Sequence, residues 1–464
     1  MWTALFVFHV IVFGYFIVLN SYYFVMSLVA FGQLRRYNQR LRVSDLSALE
    51  GIPPATLIVP AFNEERTCLE AARSFLSLDY PEYEVMLVND GSTDDTLEVL
   101  HEAYDLQPAS RFPTSDIETA EVRSVFQSAT HPNLWVIDKK NGGRSDAINA
   151  GISYCRTPLF CAVDADGILE DSALLRVVRP FLEDERTVAS GGIIRIANGC
   201  KVDEGRVDEV RLPEGWLGRF QVLEYLRSFL AGRVGWDALR VMFLISGAFG
   251  MFRRDIVAEL GGLDPNSIGE DLELTVRLHR YCRERDLPYR VAFVPDPVAW
   301  TEAPDTINIL ANQRDRWQRG LIDTMFLHRD MLLNPKYGRI GLVAYPYFFF
   351  LEMLGPVIEL SGYIVFVVLL AFGLVSTPLA VAFLLVSIVL GTILSVLSVV
   401  LEEVSFRRYE RFSDLLWLFG LAVLENLGYR QLQTYFRCRG TWSYLRGVEG
   451  WGAMERRGFD GSAS

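Results

Sequence analysis

Two carboxylates stand two residues apart in Asp164-Ala165-Asp166, directly after the apolar run from Pro158 to Val163. The run reads as a buried strand. Alternate strand residues point to opposite faces, so a tight turn after Val163 is needed to aim both acids at one opening. Acids are costly to bury unpaired, which makes a hard divalent cation holding a diphosphate their natural guest. An ordinary solvated turn can carry the same three letters. Asp90 closes another apolar run, from Glu84 to Asn89, and can accept hydrogen bonds from a base or ribose. Ser92 and Thr93 after it suit the start of a helix. Glu270-Asp271 opens a helical pattern with Leu274, Val276 and Leu278, where acids either compensate the helix dipole or supply a general base. The stretch from Asn312 to Gly320 sets Arg314, Arg316 and Arg319 around Trp317. Such a stretch contacts lipid headgroups, or forms a clamp in which Gln313 and Arg316 grip a diphosphate while Trp317 packs against a sugar or acceptor.

The elements that must position these residues alternate. Thr56 to Pro60 and Glu84 to Asn89 read as strands, Glu64 to Leu78 and Asp94 to Tyr104 as helices, and Leu134 to Asp138 as a further strand. A helix from about Ser145 to Ser153 then leads to the strand that delivers Asp164 and Asp166. Four parallel strands ending on one edge would bring the acids together, as ligand sites of open α/β sheets require. About 105 to 130, with Pro108 and Pro113, reads as a loop or insertion. Thr187 to Ala197 and Ala292 to Val294 are further strand candidates, and Phe220 to Val234 is either a core helix or one lying at a membrane surface.

Half of the 464 residues are hydrophobic, which implies membrane segments beside a sizeable soluble part. Residues 1–34 are almost uncharged and read as one long or tilted membrane helix, and Arg35, Arg36, Arg40 and Arg42 place its end in the cytoplasm. Tyr345 to Val375 and Pro378 to Leu401 are each long enough to span, with Glu352 and Glu359 facing a protein or water-filled interior. Leu415 to Leu427 is ambiguous between a span and an interfacial helix, which leaves three or four spans. The formal charge of −12 and the absence of a long basic run exclude nucleic acid as a partner class. Six scattered cysteines without metal or disulfide spacing read as thiols in a reducing compartment.

The four acid and arginine stretches, in this order and between membrane segments, resemble the processive membrane glycosyltransferases of family 2, which include cellulose, chitin, hyaluronan and poly-N-acetylglucosamine synthases. Pro60-Ala61-Phe62-Asn63-Glu64 is similar to the family's opening nucleotide turn, Asp90 to its first acid, and Asp164-Ala165-Asp166 to its D-x-D. Asn141-Gly142-Gly143-Arg144-Ser145-Asp146-Ala147 resembles the N-G-G-K-A-D-A donor loop, with Arg144 and Ser145 where Lys and Ala are usual. Ser246-Gly247-Ala248-Phe249 resembles the acceptor loop, Asp271 the acid of the E-D motif, and Gln313 to Trp317 the Q-x-x-R-W motif.

The resemblance implies an α/β fold: a GT-A nucleotide-sugar-binding domain with a mostly parallel sheet over 50–335, and α-helical transmembrane segments. Residues 336–436 would form a membrane region and 437–464 a basic tail. Asp271 would be the catalytic base; Pro60, Asn63, Glu64, Asp90, Arg144, Asp146, Asp164, Gln313, Arg316 and Trp317 would bind the donor. Ser246, Gly247 and Trp317 would meet the acceptor. Asp166 would ligate Mg²⁺ or Mn²⁺ directly, and Asp164 would reach it through water or position the donor. The implied partners are a UDP-sugar, a growing polysaccharide and membrane lipid, with accessory synthase or export subunits. The implied place is a bacterial inner membrane, multi-pass, with a cytoplasmic catalytic domain. UDP-N-acetylglucosamine leads the donors because the chain is short, has one N-terminal span and lacks a C-terminal cyclic-di-nucleotide domain. Trp300 and Trp317 are expected to stack on sugars, and Glu352 and Glu359 to line a passage for the polymer. The alternatives are a non-processive transferase to a lipid acceptor and a catalytically silent scaffold.

Overall fold

The computed structural model describes residues 2–37 and 51–448, except Asp166, Glu204 and Glu410. These residues fall into two compact units. One gathers 2–37, 211–241 and 304–448, and the other 51–210 and 242–303.

In the helical unit, Val10–Tyr37, Ile340–Ala371 and Ala380–Ser405 are long and apolar enough to cross a membrane, and Phe412–Leu424 is a shorter apolar helix. Val12, Tyr15, Phe16 and Leu19 pack against Leu351, Ile358, Tyr363 and Phe366. Polar groups inside this packing are paired, as burial demands. Glu352 accepts from the hydroxyls of Tyr23 (2.9 Å) and Tyr347 (2.6 Å) and pairs with Arg437 at 3.1 Å. Glu359 accepts from Tyr15 (3.1 Å) and Thr434 (3.0 Å). Arg437 belongs to the helix Tyr429–Leu445, so the basic stretch expected from residue 437 begins inside an ordered helix. Trp216–Leu226 and its continuation Arg227–Arg233 lie in this unit, where Arg227 pairs with the fully buried Glu425 at 2.5 Å.

The other unit is built on a sheet. Its strands are β1 (Ala55–Ala61), β2 (Tyr83–Asn89), β3 (Leu106–Pro108), β4 (Val122–Ser128), β5 (Leu134–Lys139), β6 (Leu159–Val163), β7 (Ile168–Leu169), β8 (Thr187–Ile196), β9 (Lys201–Asp203), β10 (Arg206–Glu209), β11 (Phe249–Arg253) and β12 (Arg290–Thr301). Ten of them form one sheet in the order β3-β4-β5-β2-β1-β6-β11-β8-β12-β7, and β9 pairs with β10. Leu57, Ile58, Val59, Val85 and Met86 are fully buried, so β1 and β2 are continuous apolar runs covered on both faces, as parallel strands are. β1 runs parallel to β2 and β6, and β2 parallel to β5, with Ala61, Asn89 and Asp138 in register. The carboxyl ends of four strands therefore share one edge.

β11 runs antiparallel to β6, opposing Phe249 to Val163, so the residues before Phe249 meet those after Val163. The region from 105 to 130 is not a plain loop: β3 and β4 add an antiparallel edge next to β5. Trp300 is buried with Ile168 and Ala197 and donates from Nε1 to Glu170 at 2.9 Å. That placement removes it from sugar stacking.

Beside this sheet, His279 on the helix Glu270–Glu284 ties that helix to the chain before β11. Nε2–H donates to Met242 O at 2.6 Å, and Nδ1 shares a hydrogen bond with Tyr289 Oη at 2.9 Å. Burial pushes its pKa down from 6.5 to about 4. The stabilisation from the neutral ring is fully present above pH 6.5 and is lost as pH falls toward 4. Denaturant unfolding of detergent-solubilised protein should lose about 3 kcal/mol more across that window in wild type than in His279→Gln. Equal losses would show that His279 does not titrate as described.

Candidate active site

Two knots of charge sit at the shared strand edge. The first centres on Lys139, the last residue of β5, whose side chain is fully buried. Its Nζ donates to Asp90 (2.6 Å), to the Lys140 carbonyl (2.6 Å) and to Asp146 (2.5 Å). Asp90 also accepts from the backbone N–H groups of Gly142 (3.0 Å) and Gly143 (2.8 Å), and its carbonyl accepts from Asn141 Nδ2 at 2.8 Å. One carboxylate thus fixes the loop that opens the helix Arg144–Tyr154. At Gly142, and at Gly91 facing it, there is no room for a side chain. A Cβ on Gly142 would lie 2.4 Å from Asp146 Oδ1, and one on Gly91, at φ +69°, would lie 2.7 Å from the Asn141 nitrogen.

The second knot centres on Arg144. Its Nε and Nη2 donate to Asp164 Oδ1 at 2.9 and 2.8 Å, Nη1 to Glu270 Oε1 at 2.6 Å, and Nη2 also to the Gly247 carbonyl at 2.7 Å. Burial alone would lower the pKa of this guanidinium, but the charges of Asp164 and Glu270 outweigh it and the pKa is raised. Gly247 N–H donates to Asp271 Oδ2 at 3.0 Å. The Asp164 turn, the start of the helix Glu270–Glu284 and the Ser246-Gly247 loop are therefore joined through one side chain and one peptide. A neutral or shorter side chain could not reach three acceptors in these directions, whereas the planar fork of arginine can.

The opening turn is also tied into the fold. Asn63, at φ +57°, accepts from Thr93 N at 2.8 Å, and its own N–H donates to Ser92 Oγ at 3.0 Å. Glu64 N–H donates to Thr96 Oγ1 at 2.8 Å, and Glu64 Oε2 accepts from Thr67 at 2.5 Å. Pro60, which has no N–H to offer, sits in β1 beside Val88. Asp146 accepts from Lys139 and from Ala120 N (3.0 Å).

Gln313, Arg316 and Trp317 lie on the helix Ile307–Leu327 of the helical unit, where positions three and four apart share a face. Trp317 is exposed, while Arg314 is buried against Glu224 (2.9 Å) and Gln433 (2.9 Å) and stacks over Trp317. Asp315 holds Arg319 at 2.8 Å and Arg439 at 3.2 Å.

Asp166 lies outside the described residues. Among the described residues no three His, Cys, Asp or Glu side chains gather as a metal site. Asp164 is half-exposed, and the contacts from Arg144 fall on Oδ1 alone, so Oδ2 is a hard oxygen donor of the kind Mg²⁺ and Mn²⁺ prefer. The residues present fit such an ion.

Sequence reasoning missed two residues. Lys139 gave only one signal, a lysine ending an apolar strand just before the glycine loop. Asn149 clasps Leu263 through both main-chain groups (2.8 and 2.7 Å), linking the donor-loop helix to the turn that leads to Glu270.

Three protein-family models match the chain: "Glycosyltransferase like family 2" over 112–320, "Glycosyl transferase family 2" over 56–112 and "Chitin synthase" over 264–421. A poly-beta-1,6-N-acetyl-D-glucosamine synthase of Staphylococcus epidermidis is 26% identical over 329 residues, covering 71% of this chain and 66% of the relative. The match thus spans just under two thirds of that synthase's length. A probable glycosyltransferase of Bacillus subtilis, YdaM, is 26% identical over 325 residues, covering 68% and 67%. The mannosyltransferase PcManGT from Pyrobaculum calidifontis, solved with GDP-Man and Mn²⁺, superposes with a TM-score of 0.53 at 18% identity, covering 90% of this chain and 99% of its own. That likeness shows the GT-A fold.

Lys139→Met would leave Asp90 and Asp146 buried without their shared cation. Removing one partner of a buried ion pair costs about 3–5 kcal/mol, and denaturant unfolding should show a loss of that order. A loss under about 1 kcal/mol would remove Lys139 from the centre of the first knot.

Proposed function

We propose that this chain, which belongs to glycosyltransferase family 2, is a polysaccharide synthase that moves sugar from a UDP-sugar to a growing β-linked chain with inversion at the anomeric carbon. The observation that carries the reading is the contact of Asp271 with the Ser246-Gly247 loop, with Arg144 linking both to Asp164. Asp271 takes the proton of the acceptor hydroxyl as its oxygen bonds to the sugar's anomeric carbon. The bond from that carbon to the UDP phosphate breaks, and its electron pair leaves with UDP. A single carboxylate base serves a single displacement, so an α-linked donor gives a β-linked product.

Asp90 and the loop it holds would seat the uridine end with Pro60, Asn63 and Glu64. Arg144 and Asp146 would order the diphosphate side, and Gln313, Arg316 and Trp317 would clamp departing UDP. Ser246, Gly247 and Trp317 would meet the acceptor. Asp166, with Asp164, would hold Mg²⁺ or Mn²⁺, which when bound neutralises charge on the diphosphate. UDP-N-acetylglucosamine is the favoured donor, supported by the poly-N-acetylglucosamine synthase among the relatives. Processive synthesis and secretion through a multi-pass inner-membrane region, with lipid around it and accessory subunits beside it, complete the reading. Three helices long enough to span and the arginines 35 and 36 ending the first support a cytoplasmic catalytic unit.

The test is turnover of UDP-N-acetylglucosamine by purified protein. Asp271→Asn should lower kcat about 10²–10⁴-fold, the range of a lost general base, while UDP affinity stays within about threefold. Equal UDP release by wild type and variant would remove Asp271 as the base.

A further inference from the structure

Arg144 stands on the carboxylate that the metal needs. Its guanidinium is within 2.8 Å of Asp164 Oδ1 and 2.6 Å of Glu270, so without ligands the two acids already share one fixed cation. A divalent ion on Asp164 would sit about 2 Å from a carboxylate oxygen. It would then lie only a few ångströms from that cation, in a half-buried place where charges are poorly screened. Arg144 cannot yield by losing its proton, because a guanidinium stays charged throughout the working pH range. Nor can it swing away freely. Nη2 is anchored on the Gly247 carbonyl, and the residue opens a helix whose loop is pinned by Asp90. A nucleoside diphosphate brings the negative charge that would balance both cations at once. A lysine at this position would carry the same charge but could not bridge Asp164, Glu270 and Gly247 together.

We propose that Arg144 makes metal binding at Asp164 conditional on the nucleotide: the bare cation is repelled, and metal and diphosphate enter together. This rests on the functional reading above and assigns that site its order of assembly. The device keeps a charged site from collecting free metal and keeps the metal's charge for the donor that uses it.

The experiment measures protein-bound Mn²⁺ by equilibrium dialysis and electron paramagnetic resonance, with and without UDP, in wild type, Arg144→Gln and Arg144→Lys. Wild type should bind Mn²⁺ at least tenfold more tightly with UDP than without. Arg144→Gln should bind it about tenfold more tightly than wild type in the absence of UDP, and Arg144→Lys, which keeps the charge, should not. If wild type binds Mn²⁺ equally with and without UDP, the proposal is overturned even if Arg144→Gln fails to fold. It is also overturned if Arg144→Gln binds like wild type, or if both substitutions tighten binding alike. Failure of wild type to bind UDP at all would instead overturn the functional reading, and this proposal with it.

Discussion

The site depends on one guanidinium. Arg144 is where the turn after β6, the start of the helix Glu270–Glu284 and the loop before β11 meet, and each contributes an acceptor to it. Three sequence-distant segments, centred on residues 164, 247 and 270, share that side chain. Their relative positions are therefore set by hydrogen-bond directions as well as by sheet packing. A charge-assisted fork fixes direction as well as distance, which a point charge does not.

Around this centre the sheet works as a frame that delivers reactive ends. Parallel register puts the ends of β1, β2, β5 and β6 on one edge, and antiparallel β11 returns the Ser246-Gly247 loop to the same edge. The other knot of charge, Lys139 with Asp90 and Asp146, keeps the glycine loop from drifting. Asp90 binds that loop through two N–H groups, so the carboxylate and the loop's shape are fixed together. His279 and Asn149 extend the same logic outward, each joining a helix to a neighbouring segment through main-chain groups.

Much of this arrangement was legible in the sequence where the end of an element carries a local pattern. An acid ending an apolar run marks Asp90 and Asp164, and an acid pair opening a periodic helix marks Asp271. What stayed hidden depends on long-range partners. Lys139 looks like one of two surface lysines until Asp90 and Asp146 close over it. Trp300 looks like a sugar platform until β7 and Glu170 cover it. β3 and β4 escape a sequence reading because β3 has only three residues, β4 is half-exposed with no buried run, and Pro108 and Pro113 interrupt the stretch. In the stretch from Gln313 to Trp317, composition cannot tell which arginine faces inward. Packing decides it, burying Arg314 and leaving Trp317 exposed.

A single base and a single displacement form the core of the functional account, and the stereochemistry of the new bond reports on both. Proton and carbon NMR of the product made from UDP-α-N-acetylglucosamine reads the anomeric configuration directly. The account predicts β linkages throughout. An α-linked product would mean retention, and with it a mechanism in which Asp271 is not a lone base.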